Sequence, residues 1–337
     1  MKFVQESIFS SSIRSFLKTF FGFAGILAVI IPLLLLISII SSKEAPSNLQ
    51  AKLMPDANGK QIALNKEKPV ILNISIKNII GMNEITAEKI ENILYESRQG
   101  IFENNRVKAI LLDLNTPGGT SYDSNAIYKS LKKYSSQYEV PIYAYAEHLC
   151  ASGGMYIAAA ADMVFADELT LLGSIGAKLM PFMNFSEAMS KIGIQSETII
   201  AGKNKDDMNS FRPWRDNESQ SMQKIVNFYY DDFVNVMTSE RPIDRKKLVQ
   251  EYGANIFPAT KALKIGYIDS IAQDRETVIS ALAKTAGLEE YSVVSLEYTS
   301  WKKLLENKSA FSGKILGQLG FAPEQSSLTN RPLYLYP

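Results

Sequence analysis

The chain has 337 residues, enough for one large domain or two ordinary ones, and it carries 36 Lys and Arg against 35 Asp and Glu. This balance gives no basic face for nucleic acid, so we expect no nucleic-acid partner. The single Cys and the single His exclude an internal disulfide and a Cys/His zinc site, so neither redox nor zinc chemistry is favoured.

The N-terminal region has the composition of a membrane span. Residues 20–40 read FFGFAGILAVIIPLLLLISII, which is long enough and apolar enough to cross a bilayer as a helix. The alternative is a secretory signal peptide, whose apolar stretch is shorter and precedes a small-residue cleavage site. Lys2, Arg14 and Lys18 precede the span, with Glu6 opposing them. We therefore predict a cytoplasmic segment at 1–19, an uncleaved single-pass anchor at 20–40 and an exported body.

The region after the anchor divides into a linker, a folded body and a C-terminal extension. Pro46, Pro55 and the Asn58-Gly59 turn signal predict a linker at 41–68. Strand-like runs then alternate with helix-like runs, the former at 70–76, 107–114 and 140–146 and the latter at 85–99 and 124–137. This alternation predicts an α/β fold with largely parallel strands joined by helices. The pattern weakens beyond residue 287, so we place the folded domain at 69–287 and an extension at 288–337.

The segment EHLCASGGMYIAAAAD, residues 147–162, contains the only His and the only Cys near a serine followed by two glycines. Ser152 follows a strand-like run and begins a helix-like one, so it is either an ordinary N-cap or a nucleophile at a helix N-terminus. Position 150 is Cys, so the G-x-S-x-G elbow motif is absent. A side chain so close in sequence is rarely held in line with the Ser152 hydroxyl, so we interpret His148 as a residue of the strand end and keep it as a minor alternative base. A lysine is the other base that such a hydrolase can use.

A second glycine pair follows another strand-like run, at Pro117-Gly118-Gly119. Alone, this sequence is typical of a type II turn. Beside a nucleophile, a glycine N–H at this point can bind a carbonyl oxygen as half of an oxyanion hole. The N–H of Gly153, directly after Ser152, is the natural second donor.

An ordered set of motifs gives the chain a family resemblance. LNTPGG, ASGGMYIAAAAD, LLGSIGA (171–177), TIIAGKNKD (198–206) and KALKIGYID (261–269) occur in this order. Together they resemble the signal peptide peptidase A family, also called protease IV, of Ser-Lys serine peptidases. The resemblance implies the Clp protease/crotonase-like α/β fold, a spiral of ββα units, which agrees with the alternation described above.

The resemblance also implies roles for individual residues. By motif, Ser152 matches the nucleophile, Lys205 the general base, and Ser174 a serine that orients that lysine. Gly119 and Gly153 match the backbone oxyanion donors. The chain departs from the family pattern at Asn204, where Tyr or His is usual, so Lys203 stays open as the base. The next two residues, Asp206 and Asp207, raise a further difficulty, because a carboxylate near an ammonium favours its charged form.

The resemblance finally implies a setting for the enzyme. We expect no metal or organic cofactor, and peptide substrates such as signal peptide remnants with apolar or small side chains beside the scissile bond. We also expect a ring-like homo-oligomer whose neighbouring subunits contribute Ser and Lys to each site. The location expected is the bacterial inner membrane, with the catalytic domain on the extracytoplasmic side. Two alternatives remain: an inactive membrane-bound scaffold, and a crotonase-type acyl-CoA enzyme.

Overall fold

The computed structural model describes residues 8–42, 49–65, 67–82 and 85–298. The chain forms two units, one of which, Leu49–Tyr298, contains the sheet and all the candidate site residues. The predicted segments 1–19, 41–68 and 288–337 lie partly outside the described residues. Within the other unit, the apolar sequence forms helix α1 (Ile8–Ser42), whose stretch Ile13–Pro32 is long and apolar enough to cross a membrane.

The sheet unit alternates strands and helices, as predicted. The strands are β1 (Leu49–Met54), β2 (Val70–Lys77), β3 (Val107–Thr116), β4 (Ile142–Ala151), β5 (Met163–Ala166), β6 (Leu171–Gly173), β7 (Ile256–Pro258), β8 (Ser270–Ile271) and β9 (Ser292–Tyr298). The helices are α2 (Ala87–Glu96), α3 (Ser121–Tyr138), α4 (Gly153–Ala158), α5 (Ser186–Lys191), α6 (Gln220–Glu240), α7 (Arg245–Lys247), α8 (Ala259–Lys264) and α9 (Arg275–Thr285). Two short helical turns lie at Gly100–Phe102 and Leu248–Tyr252.

The strands form one nine-stranded sheet with the order β1-β9-β2-β3-β4-β5-β8, and β6 joins β4 to β7. All pairings are parallel except β1 with β9 and β6 with β7. Parallel strands need crossover connections, which the helices supply. The mixed α/β sheet confirms the predicted fold class.

Both faces of the central sheet are buried, which explains why β2 and β3 read as almost continuous apolar runs. Alternate residues of each strand point to opposite faces of the sheet. On one face, Leu72, Ile74 and Leu112 pack in the larger core with residues of α2, α3 and α6. On the other, Ile71 and Leu111 pack in a smaller core with residues of α9. This two-sided packing fixes the positions of the strand ends, where the candidate site lies.

Two strands lie outside the predicted limits of the folded domain, 69–287. β1 falls in the predicted linker and β9 in the predicted extension, and β1 pairs with β9 over the whole length of β1. β9 also runs parallel to β2, so it connects the edge strand β1 to the central sheet. A single edge strand with exposed polar residues has little apolar alternation, which is why β1 does not stand out in the sequence.

Candidate active site

Ser152 lies in the tight turn between β4 and α4. Its φ of +53° and ψ of −119° are uncommon for a residue other than glycine, and such conformations concentrate at functional sites. Backbone hydrogen bonds hold the turn: the Ser152 N–H donates to Gly173 O of β6 at 2.8 Å, and the Tyr156 N–H donates to Ser152 O at 3.2 Å. The conformation is therefore imposed by a neighbouring strand and by the first turn of α4.

The Ser152 hydroxyl is not used as a helix cap. No side-chain hydrogen bond caps α4, so the ordinary N-cap alternative is not observed. Nor does Oγ bond to any other residue that the structure describes. Instead the side chain lines a small pocket together with Gly119 and Gly153. The hydroxyl is thus available to a molecule that enters this pocket.

Gly118 lies directly against the Ser152 turn. Its φ is +100°, and a Cβ added to it would lie 2.7 Å from Ser152 Cβ and 2.8 Å from Gly153 N. Both the left-handed backbone and the close approach require glycine. The glycine pair that sequence alone reads as a common turn is therefore packed against the candidate nucleophile.

Gly119 is held by a bridge to the segment that follows β2. The Ile80 N–H donates to Gly118 O at 2.9 Å, and the Thr120 N–H donates to Ile80 O at 3.0 Å. In this parallel bridge the Gly119 N–H points away from Ile80. Neither this N–H nor that of Gly153 donates to an acceptor in the described part of the chain. Two free backbone donors beside one hydroxyl are what an oxyanion hole requires.

Ser174 begins the loop after β6, one residue beyond Gly173. Its backbone is left-handed, with φ +55°, and its N–H donates to Asn255 O at 2.9 Å. The hydroxyl is partly exposed and forms no hydrogen bond with the residues that the structure describes. Ser174 is thus tied to the same strand, β6, that positions the Ser152 turn.

Lys205 is not brought to Ser152 within the chain. It lies in an exposed turn, where its N–H contacts Gly202 O at 3.4 Å, and it does not line the pocket of Ser152. Among the described residues, no hydrogen bond or ion pair involves its Nζ, and the same holds for the exposed Lys203. The candidate nucleophile and the candidate oxyanion donors therefore come together, and the expected base stands apart from them.

The two aspartates after Lys205 are paired with arginines. Asp206 accepts from the Arg212 side chain, and Arg215 Nη2 lies 3.0 Å from Asp207 Oδ1. Both arginines also bind the buried Glu218. The hydrogen bond from Arg212 lowers the pKa of Asp206 and lowers that of Glu218 to about 2. The difficulty raised by the sequence is thus reduced, because these carboxylates are already neutralised by arginine.

His148 and Cys150 take no part in the pocket. His148 is exposed, with φ +57°, where the pairing of β3 with β4 shifts register. Cys150 is fully buried, and burial raises the pKa of its thiol to about 12. It is therefore uncharged at neutral pH and unsuited to act as a nucleophile. In the part of the chain that the structure describes, no group of His, Cys, Asp and Glu is arranged to hold a metal.

The rest of the pocket comes from residues that the sequence did not single out. Tyr156 lies one turn along α4, and Tyr229, Asp232 and Phe233 come from α6. The sequence of α6 predicts only a long helix, and nothing local in it indicates which face meets Ser152. The feature that sequence reasoning missed is a carboxylate beside two aromatic residues on that face of α6, opposite Tyr156 of α4.

Comparisons with known proteins indicate a peptidase family. The model of peptidase family S49 matches residues 135–289. A putative signal peptide peptidase SppA of Enterococcus faecium is 29% identical over 294 residues, covering 83% of this chain and 82% of the relative. The putative protease MJ0651 of Methanocaldococcus jannaschii is 30% identical over 232 residues, covering 66% of this chain and 71% of the relative.

Among solved structures, a ClpP1 mutant from Listeria monocytogenes covers 60% of this chain and 92% of its own, with a TM-score of 0.40 and 13% identity. A likeness of this size carries no argument about chemistry.

Proposed function

We propose that this chain, which belongs to peptidase family S49, is a membrane-anchored serine endopeptidase with Ser152 as nucleophile and Lys205 as general base. The observation that carries the proposal is the unbonded Ser152 hydroxyl between the free N–H groups of Gly119 and Gly153. This arrangement suits acyl transfer, in which a nucleophile attacks a carbonyl and two donors bind the resulting oxyanion.

The proposed reaction has two halves. Neutral Lys205 takes the Ser152 proton as Oγ bonds to the peptide carbonyl carbon, and the Gly119 and Gly153 N–H groups bind the oxyanion. The lysine ammonium then gives its proton to the leaving amine as the C–N bond breaks, which leaves an acyl-enzyme. Water, deprotonated by the same lysine, attacks the ester and releases the carboxylic acid, and the proton returns to Ser152. Ser174, beside the Ser152 turn, is suited to orient the lysine.

The base is proposed to come from a neighbouring copy of the chain in a ring-like homo-oligomer. Support comes from the segment that carries Lys205, since most residues between 178 and 205 are exposed. Its large apolar side chains include Met180, 83% exposed, and Ile199, 94% exposed. Apolar side chains on an extended segment are typical of surfaces that a partner covers.

The proposed location is the bacterial inner membrane. Helix α1 has the length and composition of a single span, and the basic residues before it favour a cytoplasmic N-terminus. The sheet unit would then lie on the extracytoplasmic side. Such an enzyme meets peptides left in or at the membrane, so the proposed substrates are signal peptide remnants and other membrane-associated peptides.

Hydrolysis of fluorogenic peptides by the detergent-solubilised full chain tests the proposal. Ser152→Ala and Lys205→Ala should each lower kcat by about 10³-fold or more, whereas Lys203→Ala serves as the matched control and should keep it. Equal activity in all four proteins would refute the dyad. No activity in any assembled preparation would favour the inactive scaffold.

Mixing the two inactive variants tests the shared site. Subunits with Ser152→Ala retain the lysine, and subunits with Lys205→Ala retain the serine. Mixed assemblies should regain part of the activity if each site joins two subunits. Mixtures as inactive as their components would place both residues in one chain.

A further inference from the structure

A buried carboxylate lies just before helix α6. Glu218 is two residues from the start of α6, and its side chain is only 2% exposed. The helix itself is anchored in the larger core by Phe233, Val234 and Met237. An ionised carboxylate is costly to bury unless hydrogen bonds and opposite charges compensate it. The partners of Glu218 therefore indicate its role.

Four N–H groups of two arginines surround the Glu218 carboxylate. Its Oε2 accepts from Arg212 Nη1 at 3.2 Å and from the backbone N–H of Arg215 at 3.0 Å. Its Oε1 accepts from Arg212 Nη2 and, at 3.0 Å, from Arg215 Nη2. A planar guanidinium that binds both oxygens of a carboxylate is held in one orientation. Glu218 therefore sets the directions in which the two arginine side chains point.

The same two arginines bind the turn that carries Lys205. Arg212 donates from Nε to the Asp206 carboxylate and from Nη2 to the backbone oxygen of Asp206. Arg215 Nη2 donates to Asp207 Oδ1 at 3.0 Å. Since Asp206 and Asp207 are the two residues after Lys205, the arginines hold the backbone on that side of the lysine.

The Lys205 side chain has no contact of its own that could direct it. Its Nζ forms no hydrogen bond or ion pair within the described ranges, and its N–H lies at a long 3.4 Å from Gly202 O. A general base must come within about 2.6 to 3.2 Å of the group that it deprotonates. A misplacement of about 1 Å can cost about 10²-fold in rate. The position of the turn therefore decides whether this lysine can act.

We propose that Glu218 is a positioning residue for Lys205, because it holds, through Arg212 and Arg215, the turn from which the lysine reaches Ser152. This inference rests on the proposed function. It connects the base to the core through α6 without any contact between Glu218 and the lysine. The hydrogen bond from Arg212 lowers the pKa of Glu218 to about 2, so the carboxylate remains charged wherever a neutral lysine can act.

The variant Glu218→Gln tests the proposal with little change in shape. Glutamine has one acceptor oxygen, and its NH2 group would face arginine N–H groups, so at least one arginine must turn away. In the assembled fraction of the detergent-solubilised full chain, well below the Tm of the variant, kcat for a fluorogenic peptide should fall by about 10- to 10²-fold while KM stays within about twofold. Asp216→Asn is the matched control, because this exposed carboxylate of the same loop bonds to no residue in the described part of the chain. Wild-type kcat in Glu218→Gln would overturn the proposal.

Arg212→Lys is a second variant that leaves the buried carboxylate in place. Lysine keeps the positive charge but cannot bind Glu218 and both Asp206 groups with one planar fork. It should therefore lower kcat on the same scale, again with little change in KM. Wild-type kcat in Arg212→Lys would show that charge alone is sufficient and would contradict a geometric role.

A double-mutant cycle separates positioning of the base from a general structural effect. The substrate is a p-nitrophenyl ester, whose leaving group needs no proton, so that the residual rate of Lys205→Ala can be measured. If Glu218 acts through Lys205, Glu218→Gln should slow the wild type and leave the residual rate of Lys205→Ala unchanged. An equal loss in both backgrounds would overturn the proposal.

Hydrogen exchange gives a result that does not depend on activity. In Glu218→Gln, amide exchange in residues 203–209 should rise about tenfold more than exchange in α9, which reports on global unfolding. Equal changes in both segments would overturn the inference. If no protein is active, or if Lys205→Ala keeps full activity, the proposed function fails, and the exchange comparison still shows whether Glu218 holds the turn.

Discussion

The substitution Gly119→Ala tests the backbone around Ser152 most directly. An added Cβ would lie 1.9 Å from Ile80 O and 2.6 Å from Ile80 C, whereas non-bonded carbons pack about 3.5 to 4.0 Å apart. The two segments must separate, which breaks the backbone hydrogen bonds of 2.9 and 3.0 Å that form the bridge. At about 0.5 to 1.5 kcal/mol each, their loss should lower the free energy of unfolding by about 1 to 3 kcal/mol.

The same shift moves the Gly119 N–H away from the oxyanion, and loss of one such donor lowers kcat by about 10²- to 10³-fold. Denaturant unfolding and hydrolysis of a fluorogenic peptide measure the two effects separately. Gly287→Ala is the control: its φ is +66° with no atom within 4 Å of the added Cβ, so it should cost about 1 kcal/mol and leave kcat unchanged. If Gly119→Ala lost stability but kept wild-type kcat, the Gly119 N–H would not be an oxyanion donor.

Three further predictions concern charge. Arg212 lowers the pKa of Glu218, so the Glu218 carboxylate stabilises the fold above its unfolded pKa of about 4.3 and loses this contribution as pH falls towards about 2. Glu218→Gln should therefore lower Tm at neutral pH, and the difference in Tm from the wild type should disappear in acid. A difference in Tm that stays constant with pH would contradict this. Iodoacetamide should neither label Cys150 nor inhibit the native protein, whereas labelling should follow denaturation; rapid inactivation would contradict its burial. Arg215→Met frees Asp207 near the proposed base. The rising limb of the pH-rate profile, along which that base loses its proton, should therefore move up by about one unit, and an unchanged limb would show that Asp207 does not act on the base.

The sequence predicted the nucleophile side of the site because its parts lie at strand ends. Membership of peptidase family S49 confirms the resemblance that the ordered motifs indicated. The parallel β3 and β4 are neighbours, and their carboxyl ends carry Gly119 and Ser152 to one edge of the sheet. Motif order and α/β alternation are sufficient to predict that these two residues lie at one edge of the sheet. The strained turn at Ser152 was not predictable, because it depends on a hydrogen bond to Gly173 on β6.

Long-range pairings account for the features that the sequence could not supply. Asp232 meets Tyr156 across a separation of 76 residues, and the helical pattern of α6 does not specify that contact. The arginine partners of Asp206 and Asp207 follow them by six and eight residues in an irregular loop, where no periodicity indicates which charges meet. Because pairing in loops depends on the folded backbone, sequence alone identified the charges but not their neutralisation.

The proposed site is divided between a buried framework and an exposed segment, which would make catalysis depend on assembly. Ser152 and both proposed oxyanion donors belong to the buried framework, held by β6 and by the Ile80 bridge. Lys205 belongs to an exposed segment with no bond from its side chain to the described residues, although an arginine and carboxylate cluster fixes the positions just after it. A base supplied by another subunit would leave an isolated chain with a preformed pocket but no proton acceptor. Such a chain would bind peptide in a membrane without cleaving it, and hydrolysis would begin only in the ring.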